Sequence, residues 1–189
     1  MIDNYLKTTE SVANELLSTN FKGSWRTDNL AYLMSEAIYS TLKSAGKTVD
    51  FAVCNSARAP FEGGDMTYRS LYRSFPFDNE IILMDISSST SLSSVRYGCT
   101  YKEDTSKKLT YGFSYRIAVL DYVGLHQNSN REYDKYPDMS NLDVFTDSNG
   151  EPLIYRNILR SYLRKNQTKV FNADDYTSEN PHFYFDRVY

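Results

Sequence analysis

Residues 67–77, with the sequence TYRSLYRSFPF, repeat a Tyr-Arg-Ser triplet at an interval of about one helical turn. If this stretch is helical, Arg69 and Arg73 lie on one face with Tyr68 and Tyr72 beside them. Two guanidinium groups one turn apart could bind phosphates, and tyrosine rings could stack on nucleobases. The same pattern fits the solvated face of a short helix before a proline, so both interpretations stay open.

Two further groups of basic residues could join or extend this surface. Arg58, in the upstream segment NSARAPF, is one candidate. A basic face is also predicted on a short amphipathic helix over residues 154–165, formed by Arg156, Arg160, Arg164 and Lys165. Arginine and tyrosine are enriched in protein interfaces, and an arginine row can also follow a phosphate backbone. The arginines and tyrosines of these segments are therefore candidate partner-binding residues.

A serine-rich segment, SSSTSLSS, directly follows an apolar run that predicts a central strand. Its Ser89-Thr90-Ser91 resembles the Ser-Thr-Ser segment of one class of ADP-ribosyltransferases. The resemblance implies an enzyme in which Arg69 or Arg73 holds the dinucleotide phosphates and a later glutamate orients the ribose. Glu132 is the nearest candidate for that glutamate, although the Glu-x-Glu turn of the family is absent. Ordinary turn chemistry after a strand is the competing interpretation.

His126 supports a third hypothesis, a small metal-independent ribonuclease. It follows a long predicted strand in the sequence DYVGLHQ, and histidine titrates near neutral pH, as a general acid or base requires. A satisfied surface histidine explains the position equally well. Cys54 and Cys99 lack the spacing of a metal site and are expected to be buried free thiols. No metal and no cofactor is predicted.

The elements that would position these residues follow from hydrophobic periodicity. The spacing predicts helices over residues 3–19 and from Asp28 to Gly46. Beyond Gly46 the period changes to that of strands, and alternation predicts a long antiparallel hairpin joining residues 95–101 to 109–119. Asn149-Gly150 marks a second hairpin, and an edge strand is predicted near the C-terminus. This order predicts an α+β fold, with two N-terminal helices packed on a mostly antiparallel sheet.

The length of 189 residues fits a single domain. We divide it into a helical part (1–46), a sheet core (47–123) and a loop-rich C-terminal part (124–189) that contains the hairpin and the short helix. The sequence has no signal peptide and no apolar stretch long enough to span a membrane. We therefore expect a protein of the cytoplasm of a host cell or of a virion, with no membrane partner.

The composition limits the classes of function that this protein can have. The chain has 21 basic and 24 acidic residues, a net charge of −3, which does not favour a nucleic-acid partner although a local basic patch leaves one open. It has 17 tyrosines against one tryptophan. Nucleotide-binding glycine motifs and a nucleophile elbow are absent. We expect a non-enzymatic interaction protein of a phage or mobile element, either a virion assembly component or an inhibitor of host defence, which binds a protein partner or forms an oligomer.

Overall fold

A computed structural model of the chain describes residues 9–125 and 136–184. After a short helical segment at residues 9–13, the helices are α1 (Thr27–Ser44), α2 (Tyr68–Ser74), α3 (Ser89–Tyr97), α4 (Asp121–Gly124) and α5 (Tyr155–Lys165), together with a 3₁₀ turn at Ala173–Asp175. The described strands are β1 (Leu16–Lys22), β2 (Phe51–Cys54), β3 (Gly64–Thr67), β4 (Ile81–Ile86), β5 (Cys99–Tyr101), β6 (Tyr115–Leu120), β7 (Ser140–Val144), β8 (Phe171–Asn172) and β9 (Phe183–Tyr184). The α+β class is confirmed.

The larger sheet has six strands in the order β7-β4-β6-β2-β5-β9. Its pairs are antiparallel except for β2 and β6, which run parallel. Every residue of β2 is buried, and β4 and β6 are buried at nearly every position. Both faces of these central strands are therefore covered, because neighbouring side chains on a strand point to opposite faces.

The smaller sheet has three strands in the order β3-β1-β8. Phe21 on β1 stacks on Phe171 of β8 with a ring separation of 5.0 Å. Trp25, fully buried, packs at 5.0 Å from Phe21 and at 5.1 Å from Tyr176. This aromatic cluster joins the start of α1 to the C-terminal part of the chain, so residues distant in sequence share one core.

The predicted helix over residues 3–19 is only partly present. Residues 1–8 lie outside the described part of the chain, residues 9–13 are helical, and β1 begins at Leu16. Leu17 is fully buried whereas the side chain of Leu16 is about half exposed, as alternation on a strand requires. The adjacent leucines fit either period, and pairing with β3 and β8 decides in favour of the strand.

The predicted hairpin of residues 95–101 and 109–119 is wrong. Ser88 caps α3 by accepting a hydrogen bond from the Ser91 amide, so Val95 lies on a helix rather than a strand. The strands that remain, β5 and β6, are not neighbours, because β2 lies between them. Gly98 allows the close approach of β5 to β2, since a Cβ there would lie 2.4 Å from Cγ1 of Val53.

The C-terminal part follows the prediction more closely. An antiparallel bridge between Thr146 and Pro152 closes the turn that contains Asn149 and Gly150, and Gly150 has a φ of 83°. The predicted helix over 154–165 is α5, and β9 pairs with β5 at the sheet edge. Among the residues described, no helix combines the length and the apolar character needed to cross a membrane.

Candidate functional site

The doubled Tyr-Arg-Ser sequence forms α2, and its tyrosines pack against arginines of α5. The guanidinium carbon of Arg156 lies 4.5 Å from the centre of the Tyr72 ring, and that of Arg160 lies 4.7 Å from the Tyr68 ring. Both pairs are spaced by four residues, so one helical turn on α2 matches one turn on α5. Cation–π contacts of this kind stabilise the packing of the two helices.

Carboxylates complete this contact. Glu15 pairs with Arg160 and, at 3.0 Å, with Arg164, and Glu10 pairs with Arg69 at 2.9 Å. The predicted partner-binding arginines of α5 therefore make contacts within the molecule. Arg73, on the last turn of α2, is exposed and takes part in none of the ion pairs found among the described residues.

Arg156 is buried, and its guanidinium holds the loop between α2 and β4. One terminal nitrogen donates to the carbonyl oxygens of Phe75 and Phe77, each at 2.9 Å. The other pairs with the Asp78 carboxylate, and Nε donates to the Tyr68 hydroxyl at 3.3 Å. Burial opposes the charge of Arg156, but the hydrogen bonds to Tyr68 and Asp78 prevail and raise its pKa.

The loop held by Arg156 presents an exposed aromatic ring. Phe75 is buried and packs edge-on against Tyr155 at 5.6 Å, whereas Phe77 is 47% exposed. The guanidinium carbon of Arg58 lies 5.0 Å from the centre of the Phe77 ring. The Arg58 amide donates to the Ser74 carbonyl at 2.8 Å, which fixes the arginine at the end of α2. Arg58 and Phe77 thus form a cation–aromatic pair that is open to solvent.

Tyr122 is a second exposed aromatic residue at the same end of the sheet. Leu120 of β6 lies opposite Ile81 of β4, and the Asp121 amide donates to the Glu80 carbonyl at 2.9 Å. The next residue along, Tyr122, is 55% exposed on the short helix α4. The antiparallel register therefore places Tyr122 at the same end of the sheet as the segment that precedes β4 and carries Phe77.

Three strand ends meet at this edge of the sheet. The parallel strands β2 and β6 both end here, and their continuations carry Arg58 and Tyr122. The antiparallel strand β4 begins here, directly after the loop with Phe77. In open α/β sheets, ligands bind beyond the carboxyl ends of the parallel strands, and β2 and β6 are the parallel pair of this sheet. A base could stack on the rings, and the guanidinium could bind a phosphate.

The Ser-Thr-Ser segment lies elsewhere. Ser89-Thr90-Ser91 begins α3 just beyond the C-terminal end of β4, whereas Arg69 and Arg73 precede its N-terminal end. The six residues of β4 separate these ends by about 20 Å. The structure therefore does not bring the arginines and the serines together. Glu132 and His126 lie outside the described residues.

Asp138 explains the serines at this end of β4. Its carboxylate accepts hydrogen bonds from the amides and hydroxyls of Ser87 and Ser88 and from the hydroxyl of Ser91. Burial acts to raise the pKa of Asp138, but these hydrogen bonds outweigh it and hold the pKa well below its usual range. The serines before and at the start of α3 therefore bind the Asp138 carboxylate and fix the position of this residue.

Sequence reasoning missed Phe77 and Tyr122. The first belongs to the run FPF, in which the two phenylalanines alternate between a buried and an exposed position around Pro76. Nothing in the sequence distinguishes Tyr122 from the other tyrosines, because its position depends on the pairing of β4 with β6. Arg58, in contrast, was a candidate from the sequence and lies at the site.

The comparisons with known proteins concern the fold. No family model matches the chain, and no curated protein matches it in sequence. The 5'-nucleotidase precursor of Thermus thermophilus matches with a TM-score of 0.62 and 14% identity, over 88% of this chain and 39% of that chain. The NAD nucleotidase of Haemophilus influenzae matches with a TM-score of 0.59 and 14% identity, over 91% and 39%.

A third structure, from Staphylococcus aureus in complex with alpha-ketoglutarate, has a TM-score of 0.61 and 14% identity, over 90% of this chain and 43% of that chain. The chain thus spans about two fifths of the length of these structures. The two named proteins are enzymes, and neither is an ADP-ribosyltransferase or a ribonuclease. The expectation of a non-enzymatic interaction protein is therefore wrong, because the fold is shared with nucleotidases.

Proposed function

We propose that this chain is the nucleotide-binding part of an enzyme of the 5'-nucleotidase type. The fold is similar to that of structures named 5'-nucleotidase and NAD nucleotidase. Both names refer to substrates that combine a base, a ribose and a phosphate. The site at the edge of the larger sheet offers a complementary group for the base and another for the phosphate.

The observation that carries the proposal is the pair formed by Arg58 and Phe77. The Phe77 ring is 47% exposed at the surface, so a nucleobase can stack on its free face. The Arg58 guanidinium, 5.0 Å from that ring, forms no ion pair with a described carboxylate. Its N–H groups are therefore suited to phosphate oxygens, which arginine binds in a bidentate manner.

Tyr122 strengthens the base-binding side of the site. It is exposed on α4, directly after the strand that pairs with β4. A Cβ at Gly124 would lie 2.6 Å from Cε of Met84 and 2.7 Å from Cγ1 of Val119. The glycine therefore allows α4 to lie tightly on β4 and β6, which holds Tyr122 near the sheet edge.

The proposal assigns substrate binding, and no hydrolytic step, to this chain. Within residues 9–125 and 136–184, no group of three or more His, Cys, Asp and Glu side chains is placed to hold a metal ion. The described donor set thus does not fit a metal centre, and the chemistry we derive from these residues is recognition: stacking of the base and charge pairing with the phosphate.

Calorimetric titration of the chain with adenosine 5'-monophosphate tests the proposal. We expect saturable binding to the wild-type chain. Phe77→Ala removes a stacking surface worth about 1–3 kcal/mol, so its Kd should rise about 5- to 150-fold. Tyr111→Ala is the matched control, because Tyr111 is 77% exposed on a loop outside the site. Its Kd should equal that of the wild type.

Arg58→Gln distinguishes phosphate binding from base binding. It should weaken adenosine 5'-monophosphate binding by about 1.5–3 kcal/mol and leave the affinity for adenosine unchanged, because adenosine has no phosphate. The proposal is refuted if the wild-type chain binds neither ligand, or if Phe77→Ala and Tyr111→Ala behave alike.

A further inference from the structure

We propose that Arg156 is a positioning residue for nucleotide binding, which acts through the loop that carries Phe77 and does not itself touch the ligand. The inference rests on the proposed function, because it concerns the same site. According to this inference, the geometry of the site depends on α5. This helix is distant in sequence and contributes no side chain to the ligand surface described above.

The first step is the fixed backbone around Phe77. The Arg156 guanidinium binds the carbonyls of Phe75 and Phe77 through one nitrogen, and the Asp78 carboxylate through the other. Three acceptors along the loop thus converge on one cation. Pro76, between the two phenylalanines, fixes its own φ and further restricts the loop. Since about half of the Phe77 side chain is exposed, the position of its ring depends strongly on the backbone that carries it.

The second step is the immobility of Arg156 itself. Its side chain is only 7% exposed, and it lies over the Tyr72 ring and against the Tyr68 hydroxyl. The start of α5 is also bound to the segment that follows the loop, since the Tyr155 amide donates to the Asn79 carbonyl at 2.9 Å. The cation therefore has a fixed position relative to α2 and to β4.

The planar guanidinium of Arg156 is also required for this role. A planar guanidinium can bind several acceptors in fixed directions while its face lies on an aromatic ring. A lysine ammonium keeps the charge but is a compact point charge without a planar face. Arg156→Lys should therefore preserve the buried charge and lose the fixed geometry of the loop between α2 and β4.

Arg160 provides the matched control. It lies one turn further along α5 and makes the same kind of cation–π contact with Tyr68, but it pairs with Glu15 and makes no hydrogen bond to the loop. Arg160→Lys removes a guanidinium from the same helix face. A general loosening of α5 would affect both variants, whereas positioning of Phe77 should depend on Arg156 alone.

Two measurements test the inference. In calorimetric titrations, Arg156→Lys should raise the Kd for adenosine 5'-monophosphate about tenfold, the size expected for an impaired stacking contact, and leave the Kd for ribose 5-phosphate unchanged. In hydrogen–deuterium exchange, Arg156→Lys should accelerate exchange of the peptide containing residues 75–79. Arg160→Lys should match the wild type in both measurements.

The two proposals fail in distinguishable ways. If the wild-type chain binds no nucleotide, the proposed function fails, and the exchange experiment still decides whether Arg156 orders the loop. If the wild type binds but Arg156→Lys has wild-type affinity, positioning by Arg156 is overturned while the binding function stands. Equal exchange in the two lysine variants, or equal loss of affinity for both phosphate ligands in Arg156→Lys, also overturns the inference.

Discussion

At the scale of residues, the tyrosines of the doubled Tyr-Arg-Ser sequence pack α2 against α5. Tyr68 and Tyr72 face Arg160 and Arg156 of α5. The sequence predicts the helix and the two types of side chain, but it cannot show that the arginines over the rings come from another helix. That choice is a tertiary contact, and local periodicity contains no information on it.

The hydrogen bonds to the Asp138 carboxylate make the stability of the protein depend on pH. The folded carboxylate is harder to protonate than an ordinary aspartate with a pKa of 3.8, because Ser87, Ser88 and Ser91 donate to it. The unfolded state therefore binds the proton more tightly, and the contribution of Asp138 to stability is full above about pH 5 and falls as the pH drops below about 4. Asp138→Asn should lower the free energy of unfolding by about 2 kcal/mol at pH 7.

Urea unfolding at pH 7 and at pH 3 measures this effect. The difference between the wild type and Asp138→Asn should shrink at the lower pH, because at pH 3 the Asp138 carboxylate of the unfolded wild-type chain takes up a proton while that of the folded chain does not. Asp174→Asn, at an exposed position of the 3₁₀ turn, is the control and should change little at either pH. A difference for Asp138→Asn that is the same at both pH values would show that the charge does not contribute.

At the scale of elements, the strength of the periodic pattern decides which predictions hold. The helix α5 agrees with its prediction almost to the residue, because Ile158, Leu159, Tyr162 and Leu163 form a clear apolar face. Arg156, predicted on the opposite face, is buried with them. The sequence predicts a helix where β1 begins, and a turn followed by a strand where α3 forms. In both, the apolar residues are few and their spacing fits two periods, so pairing and capping decide the structure.

The contact between α5 and the N-terminal part should depend on Glu15. Its side chain is 18% exposed and pairs with Arg160 and Arg164. Glu15→Gln leaves those cations without their carboxylate, and we expect a loss of about 2 kcal/mol in urea unfolding, between the values for surface and buried pairs.

Glu10→Gln is the matched control for this prediction. The pair of Glu10 with Arg69 is largely exposed, at 66% and 60% of the two side chains, so its loss should change the free energy of unfolding by less than about 1 kcal/mol. Equal effects of the two substitutions would contradict a stabilising role for the partly buried pair.

At the scale of the whole molecule, the candidate site depends on the order of strands in the sheet. Arg58, Phe77 and Tyr122 follow or precede three different strands, and β2, β6 and β4 bring them to one edge. The α+β class could be predicted from the sequence, whereas this strand order could not. The parallel pairing of β2 with β6 links segments that are far apart in the chain, and no local pattern specifies it.

The most direct test of the account is a crystal structure of the chain with adenosine 5'-monophosphate at saturating concentration. We predict that the adenine ring stacks on Phe77 at the side of Tyr122, with the phosphate within hydrogen-bonding distance of the Arg58 guanidinium. A nucleotide bound away from Phe77, or no bound nucleotide at that concentration, would contradict the proposal that this edge of the sheet is a nucleotide site.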